Sequence, residues 1–393
     1  MSGAGRDWLE RRTGFLDPYR RRQKPLDSGP RRFFAAISAA LGNPHSAVPA
    51  IHISGSKGKG TTAYYAAKLL AASGLRVGLS MSPHLVSDRE RALLDFRMSS
   101  ERDIEGALSS IASVDVDIPG RPTYSGAMSL AAMLIFARAN AKAAVIECGL
   151  GGENDATGFL GAPVCVLTFV EQEHTAQLGN DLAGIAIEKA GIAVRGATLV
   201  CGSLPPPCHV AVERLCSGRG VQLVAVNTLG MRPSSGCMRL AETATDLLLS
   251  RLSVKKGKLD LADLVVPGRN DLRHVGNSRI LFDGAHTVAS IASLSEALAE
   301  RFAGKPTLIF GCTPPRDPMT LIEPLLAHVS RAYVVPMSGE MQRMPGVSVL
   351  SPEQAIELLQ QAGDYVVTGS FHLVGQAMGS LGIRPFEDSA KSL

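Results

Sequence analysis

Short apolar runs alternate along the chain with longer stretches whose apolar positions recur at helical spacing. "PAIHIS" reads as a strand, and "TTAYYAAKLLAASG" as the helix after it, stopped by Gly74. "LRVGLSMS" predicts the next strand, "GAMSLAAMLIFARANA" a helix, and "AAVIECG" a buried strand that runs into a glycine cluster. "APVCVLTFV" and "GATLVCG" predict two more strands. "VVPGRND", residues 265–271, reads as a linker, and a fresh pattern starts beyond it. There "SRILFDGAH", "PTLIFG", "RAYVVP" and "DYVVTGS" predict strands, and "VASIASLSEALAERF" a helix. Strands alternating with helices predict βαβ units and a mainly parallel sheet. No repeat at a fixed period interrupts this order.

Length and composition narrow the class. A chain of 393 residues is too long for one ordinary domain and comfortable for two. With 45% hydrophobic and 19% charged residues it can fill two cores, which argues against a disordered chain. A net charge of +4 is too small at this size to predict a nucleic-acid partner. The densest basic stretch, "DPYRRRQKPLDSGPRRF", reads as a solvated surface, with targeting or polyanion binding as the alternative. Cys148, Cys165, Cys201, Cys208, Cys216, Cys237 and Cys312 are scattered and form no C-x-x-C pair. They predict a reducing compartment rather than a disulfide framework or a zinc ribbon. No signal-peptide core and no uncharged run of about 18 apolar residues is visible, so a cytoplasmic protein without a membrane partner is expected.

The candidate chemistry begins at "IHISGSKGKGTT", residues 51–62. A strand, then Gly55, Ser56, Gly58, Lys59, Gly60, Thr61 and Thr62, then a helix, is the order a phosphate-binding loop requires. Glycines let backbone N–H groups approach an anion, and the helix N-terminus adds its positive end. A lysine neutralises phosphate oxygens and a threonine hydroxyl can ligate Mg²⁺. The match to G-x-x-x-x-G-K-[ST] is not literal, because position 53 is Ile and Gly60 separates Lys59 from Thr61. By pattern alone, a flexible basic turn stays open as the second reading.

Several further segments carry a family resemblance. "SGSKGKGTT" resembles the phosphate loop of the folylpolyglutamate synthase and dihydrofolate synthase branch of the Mur ligase superfamily. "SPHLVSDRER" (82–91), "IECGLGGENDATG" (146–158) and "EHTAQLGNDLAGIAIEKAGI" (173–192) resemble later segments of that family. So do "PGR" (267–269), "FDGAHT" (282–287) and "VVTGSFHLVG" (366–375), all in the family's order. The resemblance implies a P-loop-type, mainly parallel-sheet ATPase domain over residues 1–268, followed by a smaller Rossmann-like α/β domain over 269–393. It also implies an ATP-dependent ligase that activates a pteroate or folate carboxylate as an acyl phosphate, which the amine of L-glutamate then attacks. ATP and two Mg²⁺ ions are the implied cofactors, and a monomer is the expected state.

Two anions must be pressed together in such a reaction, so cations must offset their repulsion. The resemblance assigns Lys59 to the phosphates, and Thr61, Ser82, Glu147 and His174 to metal sites. It makes Lys189 a lysine that can be carbamylated, Arg269 and Asp283 nucleotide contacts, and His286 a contact to nucleotide or glutamate. Ser370 is expected to line the same cleft. Read without the family, His174 is an ordinary loop histidine and Lys189 a lysine on a helix surface. Asp283 and His286 then read equally as ligand contacts at a strand's carboxyl end or as turn residues.

The chain also departs from the family. Ser56-Lys57 replaces Thr-Asn in the loop, Glu173 replaces Asp, and Thr287 replaces Asn. Ser125-Gly126 removes an acidic side chain. A G-x-H-Q-x-x-N-A segment is missing, with "NTLGMRPSSGCMRLAETATDLLLSRL" in its place. Two alternatives therefore stand beside the folate ligase: a Mur-type amide ligase acting on another carboxylate, and a divergent nucleotide-binding homologue without ligase activity.

Overall fold

The computed structural model describes residues 3–13, 25–115, 118, 120, 122–261, 264–313, 316–337 and 346–388. Residues 17–24 of the basic N-terminal stretch lie outside the described residues. The chain divides into two compact units. The first is Met1–Ser82, Arg89–Ala262 and Phe386–Leu393; the second is Pro83–Asp88 and Asp263–Pro385.

In chain order the strands are β1 (Ala50–Ser54), β2 (Val77–Ser80), β3 (Leu93–Leu94), β4 (Arg97–Met98), β5 (Ala143–Glu147), β6 (Val164–Leu167), β7 (Thr198–Cys201) and β8 (Gln222–Ala225). They continue with β9 (Asp271–Val275), β10 (Ser278–Phe282), β11 (Thr307–Phe310), β12 (Arg331–Val334), β13 (Ser348–Val349), β14 (Gly363–Thr368) and β15 (Glu387–Asp388). Among the described residues the first unit forms one sheet in the order β15-β4-β3-β2-β5-β1-β6-β7-β8. Its middle, from β2 to β8, is parallel. β1 is central, with Ile53 opposite Glu147 on one side and Val166 on the other. All five of its residues are buried, as expected of a strand covered on both faces.

The helix Lys59–Ala72 returns the chain from the end of β1. The helix Tyr124–Arg138 is apolar almost all round and mostly buried, which is how a helix enclosed by its own unit reads. Thr123 caps it by accepting a hydrogen bond from the Gly126 N–H (3.1 Å). On this helix, Phe136 occupies the space beside Gly78 of β2, where a Cβ would lie 2.4 Å from the ring.

The second unit has a smaller sheet in the order β13-β12-β11-β14-β10-β9. It is parallel except for β9, which pairs antiparallel with β10. β9 begins at Asp271, where the apolar pattern predicts a linker. Alternate residues of its inner strands feed two separate apolar clusters. Leu281, Leu308, Phe310 and Val366 face one side. Ile280, Phe282, Ile309 and Val367 face the other. A sheet that is apolar on both faces needs helices on both, which is the α/β architecture expected from the sequence.

Phe136→Ala should remove a fully buried ring and leave a void over β2. The expected cost is about 3–5 kcal/mol, read as a lowered denaturant midpoint with unchanged slope; a loss below about 1 kcal/mol would mean that neighbouring side chains collapse into the space.

Candidate functional site

The loop between β1 and the helix Lys59–Ala72 lies against residues 168–171. Gly55 has φ +142°, and a Cβ there would sit 1.9 Å from Thr168 Oγ1. Gly58 has φ +78°, with Cys237 Sγ and the Phe169 ring where its Cβ would point. At both positions the backbone conformation and the lack of room demand glycine. The Ser56 N–H donates to the Phe169 carbonyl (2.6 Å), and Lys57 forms an isolated antiparallel bridge with Phe169. Ser56 Oγ donates to the Glu171 carbonyl (3.1 Å) and accepts from its N–H (3.0 Å).

Lys59 turns back on its own loop, donating to the carbonyls of Gly55 (2.7 Å) and Ser56 (3.1 Å). Lys189 comes from the helix Leu182–Ala190, and its Nζ donates to the same Gly55 carbonyl (3.1 Å) and to Glu173 Oε1 (3.1 Å). Lys189 is 1% exposed, so it is not the surface lysine that its helix position alone would suggest. Burial, and then the charge of Lys59, push its ammonium below the ordinary lysine range; Glu173 opposes both. Two ammonium groups thus share one carbonyl, with one carboxylate beside them.

Thr61 is half-buried in the first turn of the helix. Thr62 is fully buried and its Oγ1 has no hydrogen-bond partner. Glu147, 5% exposed at the end of β5, accepts from the Ser82 N–H through Oε2 (2.7 Å). His174 is exposed, with φ +49°, immediately before the short helix Thr175–Leu178. Among the described residues no cluster of three or more His, Cys, Asp and Glu side chains is assembled for a metal.

Beneath the loop after Glu147 lies a polar chain that sequence reading missed. His52 Nε2 lies 2.9 Å from Thr157 Oγ1, which donates to Asp155 Oδ1. Asp155 Oδ2 accepts from the N–H groups of Gly149 (3.2 Å) and Leu150 (2.9 Å). Full burial pushes the His52 pKa down to about 3, so its ring is neutral. The histidine inside an apolar strand was the available signal.

In the second unit, Asp283 follows β10 and accepts from the N–H groups of Asn270 (2.7 Å) and Ala285 (2.8 Å). Burial raises its pKa, opposed by these two bonds and by Arg269. The Arg269 guanidinium lies 4.7 Å from the centre of the Phe371 ring, and the His286 ring meets the same phenyl edge-on at 6.0 Å. His286 Nδ1 is 2.6 Å from the Gly284 carbonyl, so Nδ1 carries a proton and donates it there. Phe371 thus joins Arg269 and His286, and sequence reading passed over it. Ser370 Oγ caps the helix Phe371–Ser380 by accepting from the Leu373 N–H (3.1 Å). Thr287 likewise caps the helix Val288–Arg301, in a capping box with Ser290.

No family model matches the chain. It is 26% identical to the folylpolyglutamate synthase of Lacticaseibacillus casei, over 90% of this chain and 95% of that protein. It is 30% identical to the dihydrofolate synthase/folylpolyglutamate synthase of Buchnera aphidicola, over 72% of each. A solved FPGS–AMPPCP complex superimposes with a TM-score of 0.76 at 25% identity, covering 91% of this chain and 96% of that one.

Glu173→Gln should leave Lys189 buried beside Lys59 without its carboxylate, at a cost of about 1–3 kcal/mol. The folded Lys189 pKa then falls further below its unfolded value. The unfolded chain binds more protons between the two values, so stability rises with pH across that window. The deficit of the variant should therefore be largest at neutral pH and shrink as pH climbs towards 10.5; a deficit independent of pH in thermal melts would count against this assignment.

Proposed function

The chain belongs to the folylpolyglutamate synthase/dihydrofolate synthase family, and we propose on that premise how its residues carry out ATP-dependent ligation of L-glutamate to a pteroate or folate carboxylate. The observation that carries the reading is the convergence of Lys59 and Lys189 on the Gly55 carbonyl of a glycine-requiring loop. A basic turn without a ligand has no reason to bury one of two neighbouring ammonium groups. A triphosphate supplies the missing anions.

In this reading the acceptor carboxylate attacks the γ-phosphorus of ATP, and ADP leaves. The amine of glutamate attacks the resulting acyl phosphate at carbon, and inorganic phosphate departs. Lys59 exchanges backbone carbonyls for phosphate oxygens, offsetting the repulsion between the two reacting anions. Lys189, held by Glu173, keeps positive charge under the loop. Arg269, held over Phe371, offers a planar fork of donors to phosphate. Asp283 holds the turn between Asn270 and Ala285 and contacts nucleotide. His286, with Nδ1–H tied to a carbonyl, turns Nε2 to nucleotide or to the incoming amine.

Mg²⁺ fits the donor set. Thr61 supplies a hydroxyl and Glu147 a carboxylate, and Mg²⁺ is commonly held by one or two carboxylates with phosphates and waters. When bound it neutralises phosphate charge. Ser82 and His174 complete the proposed ligands. A second ion would need Lys189 as its carbamate, whereas the ammonium form is neutralised by Glu173. A monomer in the cytoplasm is proposed: the described cysteines are all free, and no described helix is long and apolar enough to cross a membrane.

Purified protein offered ATP, Mg²⁺, labelled glutamate and either dihydropteroate or tetrahydrofolate should place label in the pterin product and release phosphate. Release only with a cell-wall precursor would favour another Mur-type ligase, and nucleotide binding without turnover a non-catalytic homologue. Lys59→Ala should fold normally and lose on the order of 10²-fold or more in kcat; near-normal turnover would remove the loop from the mechanism.

A further inference from the structure

We infer that Lys57 is a second phosphate-loop cation for the nucleotide, and that Glu171 holds it in reserve until a phosphate displaces the carboxylate. The inference rests on the reading of residues 55–62 as an ATP-binding loop. Lys57 stands between Ser56 and Gly58, two residues before Lys59. Its backbone is pinned, because Thr168 Oγ1 donates to its carbonyl (2.5 Å) and it bridges Phe169. Its side chain is less settled. The Nζ is hidden from solvent, and a single carboxylate serves a group that carries three donors. Its one ionic partner among the described residues is Glu171 Oε2, at 2.5 Å.

That pair is built to be broken. The Glu171 side chain is 43% exposed, so water reaches the carboxylate and screens the pair from that side, although the Lys57 ammonium itself is shielded. A triphosphate brings several charges and many acceptor oxygens to the same loop, so it outcompetes a single carboxylate. Glu171 meanwhile stays attached to the loop through its backbone, which is hydrogen-bonded in both directions to Ser56 Oγ. Losing Lys57 therefore does not cost the loop its support. Two residues on, Glu173 pairs with Lys189 in the same way but in a buried setting. Lys59 alone of the three bonds only to backbone carbonyls. Three ammonium groups face two carboxylates before nucleotide arrives, and the weaker pair is the one a phosphate can open.

A double-mutant cycle tests this, read by calorimetric titration with AMPPCP. Lys57→Met should weaken binding roughly tenfold, as expected for one charge-assisted contact, and Lys57→Arg should restore most of it. Glu171→Gln should tighten binding several-fold, because the competitor is gone. In the Lys57→Met background the Glu171→Gln change should do nothing. Binding within twofold of wild type for Lys57→Met overturns the inference. So does Glu171→Gln weakening binding whether or not Lys57 is present, which would mark the pair as a support for the loop. If Lys57→Met does not fold, the direction of the Glu171→Gln effect still decides. Wild-type protein that fails to bind AMPPCP at all would sink the ATP-site reading itself, a result distinct from either mutant outcome.

Discussion

An anion-binding loop must turn its carbonyls away from the anion and satisfy them elsewhere, because oxygens facing a phosphate repel it. Here the carbonyl of Ser54 accepts from the Thr168 N–H (3.0 Å). That of Gly55 accepts from two lysines, that of Ser56 from Lys59, and that of Lys57 from Thr168 Oγ1. One residue, Thr168, therefore answers for much of the loop, and it reaches the loop because Gly55 has no Cβ to stop it. Ordering this many backbone groups costs conformational entropy. The central position of β1 and its full pairing with β5 and β6 help offset that cost.

The electrostatics follow from the same segment. Glu171 and Glu173 follow Phe169 in one short segment, and each carboxylate answers a different lysine. The two pairs differ in burial, which sets their strength. Lys189 is enclosed, and taking its partner away strands a charge in a poor medium. Lys57 is paired with a carboxylate that is 43% exposed and therefore screened by water. The positive charge that Lys57 brings to the loop is thus met by a carboxylate of the neighbouring segment.

Most of the architecture was legible because burial imposes periodicity. β1, β2, β5, β6 and β7 coincide with apolar runs, and the helices Lys59–Ala72 and Val288–Arg301 with helical spacing. β9 was not legible: "DLRHV" alternates polar and apolar residues weakly and follows a Pro-Gly pair, so its strand character comes from pairing with β10. In the site, the glycines and Lys59 could be read because loop chemistry constrains them locally. The burial of Lys189 could not, since a nine-residue helix does not reveal which face meets the loop. Thr287 and Ser370 illustrate a third case. Ser370 reads as a cleft residue and Thr287 as a replacement for Asn, and both hydroxyls cap helices, a local role that competes with any ligand for the same oxygen.

The second unit repeats the logic of the first with different parts. Its chemistry-bearing residues also gather at the carboxyl ends of parallel strands, Asp283 after β10 and Ser370 after β14. There a glycine again makes room: a Cβ at Gly284 would lie 2.4 Å from the Phe371 ring. With the ring in that space, the Arg269 guanidinium has a flat apolar face to lie on and His286 an edge to lean against. A guanidinium stacked on an aromatic ring keeps its in-plane donors unspent by the stacking. Arg269 thus has two neighbours of different kinds, the Phe371 ring and the charge of Asp283. The contrast with Lys57 lies in the neighbours: one cation is paired with a partly exposed carboxylate, the other lies against an apolar ring.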